Sequence, residues 1–283
     1  MEPTMHTCKN CGHYFQGKYC NQCGEKMYQE KDRKIAHLFE EAFHFITHFE
    51  GSFFTTLKTI LSRPGQVSKD YCDGIRKKYF KPLSLFLLLV VAYLLFPLAS
   101  GLNMPLQSHM ESNEYGAYAI SKVDAFLNAH PNHSLLTVKQ QFAAKSEKLS
   151  KLLLLLIIPF CALVLWPLSF FRRRLFFDQM VLSAEINSFF LIANFFLLPL
   201  LIMLIQTVSR LFNFSTVWLS DDVFTFTGQT VTAIFAAFAF KRFYGFGLFY
   251  RIIAALIFIY LHGLIVYILY KFTLFVAVLY QIH

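Results

Sequence analysis

Charged side chains are scarce in this chain: only 15% of its 283 residues are Asp, Glu, Lys or Arg, against 56% apolar and 18% aromatic residues. A soluble domain has about 25% charged residues, so the balance points to the membrane class. Three apolar runs carry no charge for about 20 residues, the length that crosses a ~30 Å hydrocarbon core as a helix. Catalytic signatures are missing as well. There is no glycine-rich phosphate loop, no nucleophile elbow and no His-Glu-x-x-His pair, which leaves the common nucleotide, hydrolase and metalloprotease chemistries without their residues. No apolar run precedes Pro82, so no cleavable signal is expected and the N-terminus is expected to stay cytoplasmic.

The net charge of +9 is unevenly placed, with 13 of the 26 Lys and Arg before residue 82, among nine acidic residues. Most of the others lie close to the ends of apolar runs. That placement orients helices in a bilayer and draws a juxtamembrane segment to anionic lipid headgroups, and it argues against nucleic acid as the partner.

The pattern divides the chain into a metal head (residues 6–27), an amphipathic connector (31–81) and a spanning bundle (82–283). Spans are expected at 83–102, 152–171, 180–208, 223–240 and 252–274, the fourth diluted by Thr225, Thr227, Gln229, Thr230 and Thr232. With a cytoplasmic N-terminus, five spans leave Arg172, Arg173, Arg174, Lys241, Arg242 and Arg251 inside, Asp221 and Asp222 outside, and an outward C-terminus. The long outward loop 103–150 reads as a small helical cap. Tyr115, Tyr118, Ala119, Val123, Phe126 and Leu127 recur at near-helical spacing, and Ser134 is placed to cap a further helix. The fold class is an all-α polytopic membrane bundle of about five transmembrane helices. It carries a small N-terminal zinc ribbon and an amphipathic, interfacial helical connector.

Cys8-x2-Cys11 and Cys20-x2-Cys23, eight residues apart, form the most specific pattern in the chain. Each pair can turn two sulfurs toward one ion, and together they complete the tetrahedral set of a closed structural zinc site. Gly12 and Gly24 follow each pair where a knuckle backbone favours positive φ. Some 22 residues cannot bury enough apolar surface to fold alone, so a metal would supply the stability. Four thiolates around Zn²⁺ leave a charge of −2 that Lys9, Lys18 and Lys26 are placed to offset. Disulfides would need an oxidising compartment, and iron could use the same four sulfurs. Cys72 and Cys161 stand alone and read as packing residues.

In the connector, Ile35, Leu38, Phe39, Ala42, Phe43, Ile46 and Phe49 make one apolar helical stripe, continued by Phe53, Phe54, Leu57, Ile60 and Leu61 until Arg63-Pro64-Gly65 stops it. The stripe either lies in the membrane interface or packs on the cytoplasmic end of the bundle. His37, His44 and His48 read as polar-face residues.

The paired Cys-x-x-Cys head is followed by a Thr-Leu…Leu…Pro-Gly step at Thr56, Leu57, Leu61, Pro64 and Gly65, and then by Tyr71, Gly74, Arg76, Tyr79 and Pro82. With these residues the first 90 positions resemble a bacterial family of zinc-ribbon-headed polytopic membrane proteins of unknown function. The resemblance implies a membrane location and a zinc head and brings no activity. In its third span that family tends toward an acidic residue followed by histidines, where this chain has Asp178, Gln179, Glu185 and Asn187. The five-span plan also looks like the Yip1-type membrane proteins, at fold level only.

Ionisable groups inside a membrane are costly and mark candidate sites. Glu185, Asn187 and His262 are the candidate intramembrane polar cluster, able to hold a proton, a cation or a headgroup. Alternatively, Glu185 pairs with Arg172–Arg174 near the interface and the amides tie helices together. Three functions follow: an adaptor or assembly factor docking a cytoplasmic protein on its zinc ribbon; a small transporter or channel using Glu185 and His262; and a lipid-modifying enzyme built on Asp178, Glu185 and Arg172–Arg174. No catalytic residue is assigned, and an enzyme is the less expected of the outcomes.

Overall fold

The computed structural model describes residues 5–8, 11–17, 19–23, 51–96, 98, 102, 104–172, 175–212 and 221–282. The first connector stripe, with His37, His44 and His48, lies outside them. The chain divides into two compact units, Met1–Gly51 and Ser52–His283.

In the first unit, β1 (Met5–Thr7) pairs antiparallel with β2 (Tyr14–Gln16), Met5 opposite Gln16 and His6 opposite Phe15. Among the described residues of this unit, Phe15 is buried together with Cys8 and Cys20.

The second unit is helical. Residues 51–62 form α1, followed by α2 (Gln66–Cys72), α3 (Pro82–Leu95), α4 (Leu106–Met110), α5 (Gly116–Ala129) and α6 (Leu135–Leu168). Then come α7 (Phe176–Leu191), a π-helical segment Ile192–Leu197, α8 (Leu198–Phe212) and α9 (Asp221–Tyr244). Last are α10 (Leu248–Gly263), a second π segment Leu264–Tyr270, and α11 (Lys271–Gln281). α7 is the central strut: from Val181 to Phe195 every residue is buried, as expected for a helix enclosed on all sides.

Among the described residues, three helices are long and apolar enough to cross a membrane: Phe176–Phe212, Val223–Tyr244 and Leu248–Gln281. A fourth candidate is the pair Leu135–Ser150 and Leu152–Leu168, bent by 49°. Of the five expected spans, those at 180–208, 223–240 and 252–274 fall on these three helices and the one at 152–171 overlaps the bent pair. The expected first span, 83–102, is helical only to Leu95, and 14 residues reach about 21 Å at ~1.5 Å per residue, short of ~30 Å. Phe96 leaves the helix at φ −130° because Pro97 follows, and a residue before proline is driven out of the α region. The expected fourth span, the most polar of the five, is an unbroken helix.

One end of the unit gathers the basic connections. Arg172 donates to the Gly245 carbonyl at 3.3 Å, Tyr250 donates to the Leu168 carbonyl at 2.7 Å, and Arg242 donates to the Pro64 carbonyl at 2.5 Å. At the π turn of the long α7–α8 helix, the Asn194 amide donates to the Phe190 carbonyl at 2.9 Å and lies 3.4 Å from Thr232 Oγ1 on α9. Its Oδ1 would stand 1.7 Å from a Cβ at position 228, so Gly228 is the residue that admits it.

The other end carries the cap. Leu102 is clamped between two phenols: Tyr93 Oη accepts from its amide at 3.1 Å and Tyr270 Oη donates to its carbonyl at 3.0 Å. Ser134 caps α6 by accepting from the Thr137 amide at 3.2 Å. Within the cap His109 is buried, its Nδ1 2.7 Å from Tyr115 Oη, its ring against Phe142 and Phe275. Burial, with the Lys271 charge nearby, pushes the imidazole down to about 4, and burial pushes the Tyr115 phenol up to about 12. A histidine with a depressed folded pKa contributes stability above its unfolded pKa of ~6.5, and loses it as pH falls toward the folded value. The melting temperature of the purified protein should therefore fall between pH 6.5 and 4, and His109→Gln should flatten that slope. An unchanged slope in the variant would contradict the assignment.

Candidate functional site

The four expected metal ligands are brought together. The Cys8 amide donates to the His13 carbonyl at 2.9 Å, and the Gly12 amide donates to the Cys8 carbonyl at 2.9 Å with Gly12 at φ 75°. This knuckle turns Cys8 and Cys11 to the same side. Cys8 Sγ lies 3.5 Å from Cys23 Sγ, Cys11 Sγ lies 3.6 Å from Cys20 Sγ, and all four sulfurs lie within 4.8 Å of one another. A disulfide would need about 2.05 Å, and the thiols are free. Four sulfurs around one ion at ~2.3 Å stand about 3.8 Å apart, so the spacing fits a shared ion. The cluster could hold a metal ion. Gly24, Lys9, Lys18 and Lys26 lie outside the described residues.

In the helical unit the expected polar trio separates into two places. Residues two apart on a helix are turned by about 200°, so Glu185 and Asn187 face opposite ways, and the grouping of Glu185 with Asn187 and His262 is corrected accordingly. Asn187 and His262 do meet: His262 Nε2 is 3.1 Å from Asn187 Oδ1, and the Asn187 amide donates to the Ser183 carbonyl at 2.9 Å. Ser183 in turn donates to the Ile158 carbonyl on α6 at 2.8 Å. The cluster is buried among Phe190 and Phe258 and ties α6, α7 and α10 together.

Glu185 meets backbone instead. Its Oε1 accepts from the Gly65 amide at 2.8 Å, and its Oε2 accepts from the Ser68 amide at 2.7 Å and from the Ser68 hydroxyl at 2.5 Å. These are orphan donors of the first turn of α2, which no side chain of its own segment caps. A carboxylate 1% exposed is costly unless its lone pairs are filled, and three charge-assisted hydrogen bonds fill them. The cation nearby is Arg242, which also holds the Pro64 carbonyl; Arg172 is turned to Gly245, and Arg173 and Arg174 lie outside the described residues. Of the expected pairing with the 172–174 cluster, only Arg172 falls among the described residues, and it meets the Gly245 carbonyl.

Gly65 completes the junction. It stands at φ 78°, and a Cβ there would meet the Ala239 carbonyl oxygen at 2.7 Å and its Cα at 2.8 Å, so α2 can approach α9 this closely only with glycine. Sequence reasoning reached Pro64 and Gly65 as a helix stop and missed their partner. The donors that hold Glu185 are mostly main-chain groups, which every residue but proline carries.

Residues 50–94 match a family described as Protein of unknown function (DUF3667). No curated protein matches, and no solved structure matches. The matched stretch spans α1, α2 and nearly all of α3; it includes Gly65 and Ser68 and stops short of Glu185, Arg242 and the cysteine head. Its punctuating residues have structural tasks. Thr56 donates to the Ser52 carbonyl at 2.7 Å and accepts from the Phe80 amide at 2.8 Å, tying α1 to the approach of α3. Tyr79 donates to Asp70 at 2.7 Å across the loop between α2 and α3. Pro82 is buried at the first turn of α3, where a missing N–H costs nothing. The matched segment builds the α2 turn and delivers it to the bundle.

Glu185→Gln replaces one acceptor oxygen by a donor and leaves an α2 amide unpaired. The loss of a buried acceptor costs roughly 1–3 kcal/mol, so hydrogen exchange over residues 65–72 should quicken by about 5- to 150-fold while residues 116–129 stay unchanged. Gly65→Ala should act in the same direction through the clash with Ala239. Unaltered exchange in both variants would contradict the junction.

Proposed function

We propose that this protein is a non-enzymatic membrane scaffold, an adaptor or assembly factor, whose cysteine head binds one structural Zn²⁺ and docks a cytoplasmic protein partner. The observation that carries the reading is the surface of the head. Around a cluster whose four thiolates would saturate a tetrahedral ion, Met5, Tyr14 and Tyr19 stand 59%, 65% and 60% exposed. Aromatic and methionine side chains displayed on a small rigid module are the composition of interface cores. A closed four-sulfur site has no open position for substrate.

The bundle supports the same reading by how its polar groups are used. A transporter needs a wet path to Glu185 and His262. Glu185 is closed by α2 donors, and three surface grooves, of 390, 310 and 100 Å³, are lined by none of Glu185, Asn187 or His262. A lipid-modifying enzyme needs convergent groups. Asp178 accepts from the Leu175 amide at 3.1 Å, Arg172 is held on Gly245 and Glu185 on α2, three separate engagements. The basic end, with Arg172, Lys241, Arg242 and Arg251, is assigned to the cytoplasm of an inner-membrane protein by the excess of cations that such loops carry, and the cap end with the C-terminus faces outward.

Two measurements test this. Purified full-length protein should contain about one zinc per chain by elemental analysis, and Cys8→Ser with Cys20→Ser should contain none; iron in its place would overturn the zinc assignment. In cells, Tyr14→Ser with Tyr19→Ser should keep its zinc and lose the specific cross-links that the wild-type head forms. Identical cross-links from a zinc-loaded double variant would overturn the docking role.

A further inference from the structure

A groove of 310 Å³ runs along the outside of the helical unit where the starts of α3 and α7 lie side by side. Its walls are apolar: Leu83 from α3, Ile158 from α6, and Phe177, Met180 and Ala184 from α7. The mouth differs from the walls. Lys81 lines it, and so does Tyr71, whose ring carries the Arg76 guanidinium 5.2 Å from its centroid. The loop from residue 74 to residue 81 holds Arg76, Lys77, Lys78 and Lys81 and no acid. Two acids precede the loop, Asp70 and Asp73, so its four cations outnumber them; Asp70 accepts from Gln66 at 2.6 Å and from Tyr79 at 2.7 Å and lies 3.9 Å from Lys78 Nζ, away from Lys81, and Asp178 accepts from the Leu175 amide. The mouth is thus cationic and the wall apolar. Phe177 and Leu83, 51% and 48% exposed, leave the groove open to the surrounding lipid.

We infer that this groove holds one anionic phospholipid of the surrounding bilayer, an acyl chain along Ile158, Phe177, Met180 and Ala184 and the phosphate at Lys81 and Arg76. The chemistry of the two ends selects the occupant. A free anion would leave the apolar wall bare, and a neutral lipid would leave the cations unanswered. The volume falls in the range of small-molecule sites, about 300–1,000 Å³. Each cation near an anionic headgroup contributes about fivefold in binding, so two give roughly 30-fold preference over a zwitterionic lipid. The site abuts the α2 junction, because Val181 and Ala184 line it on the helix that carries Glu185. A bound lipid would therefore brace the side of α7 next to that carboxylate. The inference rests on the proposed placement of the basic end at a membrane surface and is independent of what the cysteine head docks.

Native mass spectrometry of the full-length protein tests it, with phosphatidylglycerol and phosphatidylcholine offered in equal amounts. The wild type should retain a single phosphatidylglycerol about 30-fold over phosphatidylcholine. Lys81→Glu with Arg76→Glu should abolish the preference, Lys81→Arg with Arg76→Lys should keep it, and Lys122→Glu in the cap should leave it unchanged. Ser84 also lines the groove, and Ser84→Trp, which would fill it, should lose the retained lipid while the melting temperature stays near wild type. Equal retention of the two lipids, or an undiminished preference in the charge-reversed variant, would overturn the site, whether or not the head binds zinc.

Discussion

A buried carboxylate with its lone pairs filled by backbone is the constraint on which the helical unit turns. Glu185 sits on a helix enclosed on every side, where an ionised group must be fully hydrogen-bonded or removed. Its donors come from the first turn of α2. That requirement fixes the chain around it. α2 must start against α7, the residue at its start must tolerate a left-handed backbone and lack a Cβ against Ala239, and the preceding carbonyl must meet Arg242. Thr56 and Tyr79 then hold the flanking segments so that the turn arrives in register. Breaking a buried arrangement of this kind is costly because the groups left behind have no water to turn to.

The same logic separates the polar residues of the bundle by task. Asn187 and His262, on the opposite face of α7 from Glu185, join α10 to α6 through Ser183. Asn194 joins α7 to α9 at the π turn, in the space that Gly228 leaves. None of these lines one of the three grooves. Polar residues that satisfy one another across helices set which helices are neighbours, and their contribution to affinity between helices is modest. These hydrogen bonds hold α6, α7, α9 and α10 in fixed relation to one another.

Parts of this were legible in the sequence for physical reasons that can be named. The double Cys-x-x-Cys pattern reads directly because metal geometry demands that spacing, and Ser134 reads as a helix start because its side-chain oxygen is the cap. The Pro64-Gly65 stop was visible, and its purpose was not, since the partner is 120 positions away and the donors are mostly main chain. Grouping Glu185 with Asn187 overlooked their 200° separation, which the helical repeat already gives. The expected first span runs on past Leu95, where α3 ends, because the hydrophobic run is longer than the helix. The expected third span, 180–208, falls within one continuous rod, Phe176–Phe212, in which α7 passes into α8 through a π segment.

The most direct test of the central claim is a double-mutant cycle on Ser68 and Glu185, read as thermal unfolding of the purified protein. Ser68→Ala alone and Glu185→Leu alone should each lower stability. If the two side chains act through one another, the double variant should be no less stable than Glu185→Leu alone, a coupling of about 1 kcal/mol or more between contacting groups. Strictly additive losses would mean that Glu185 does not hold the α2 turn, and the account built on that junction would be wrong.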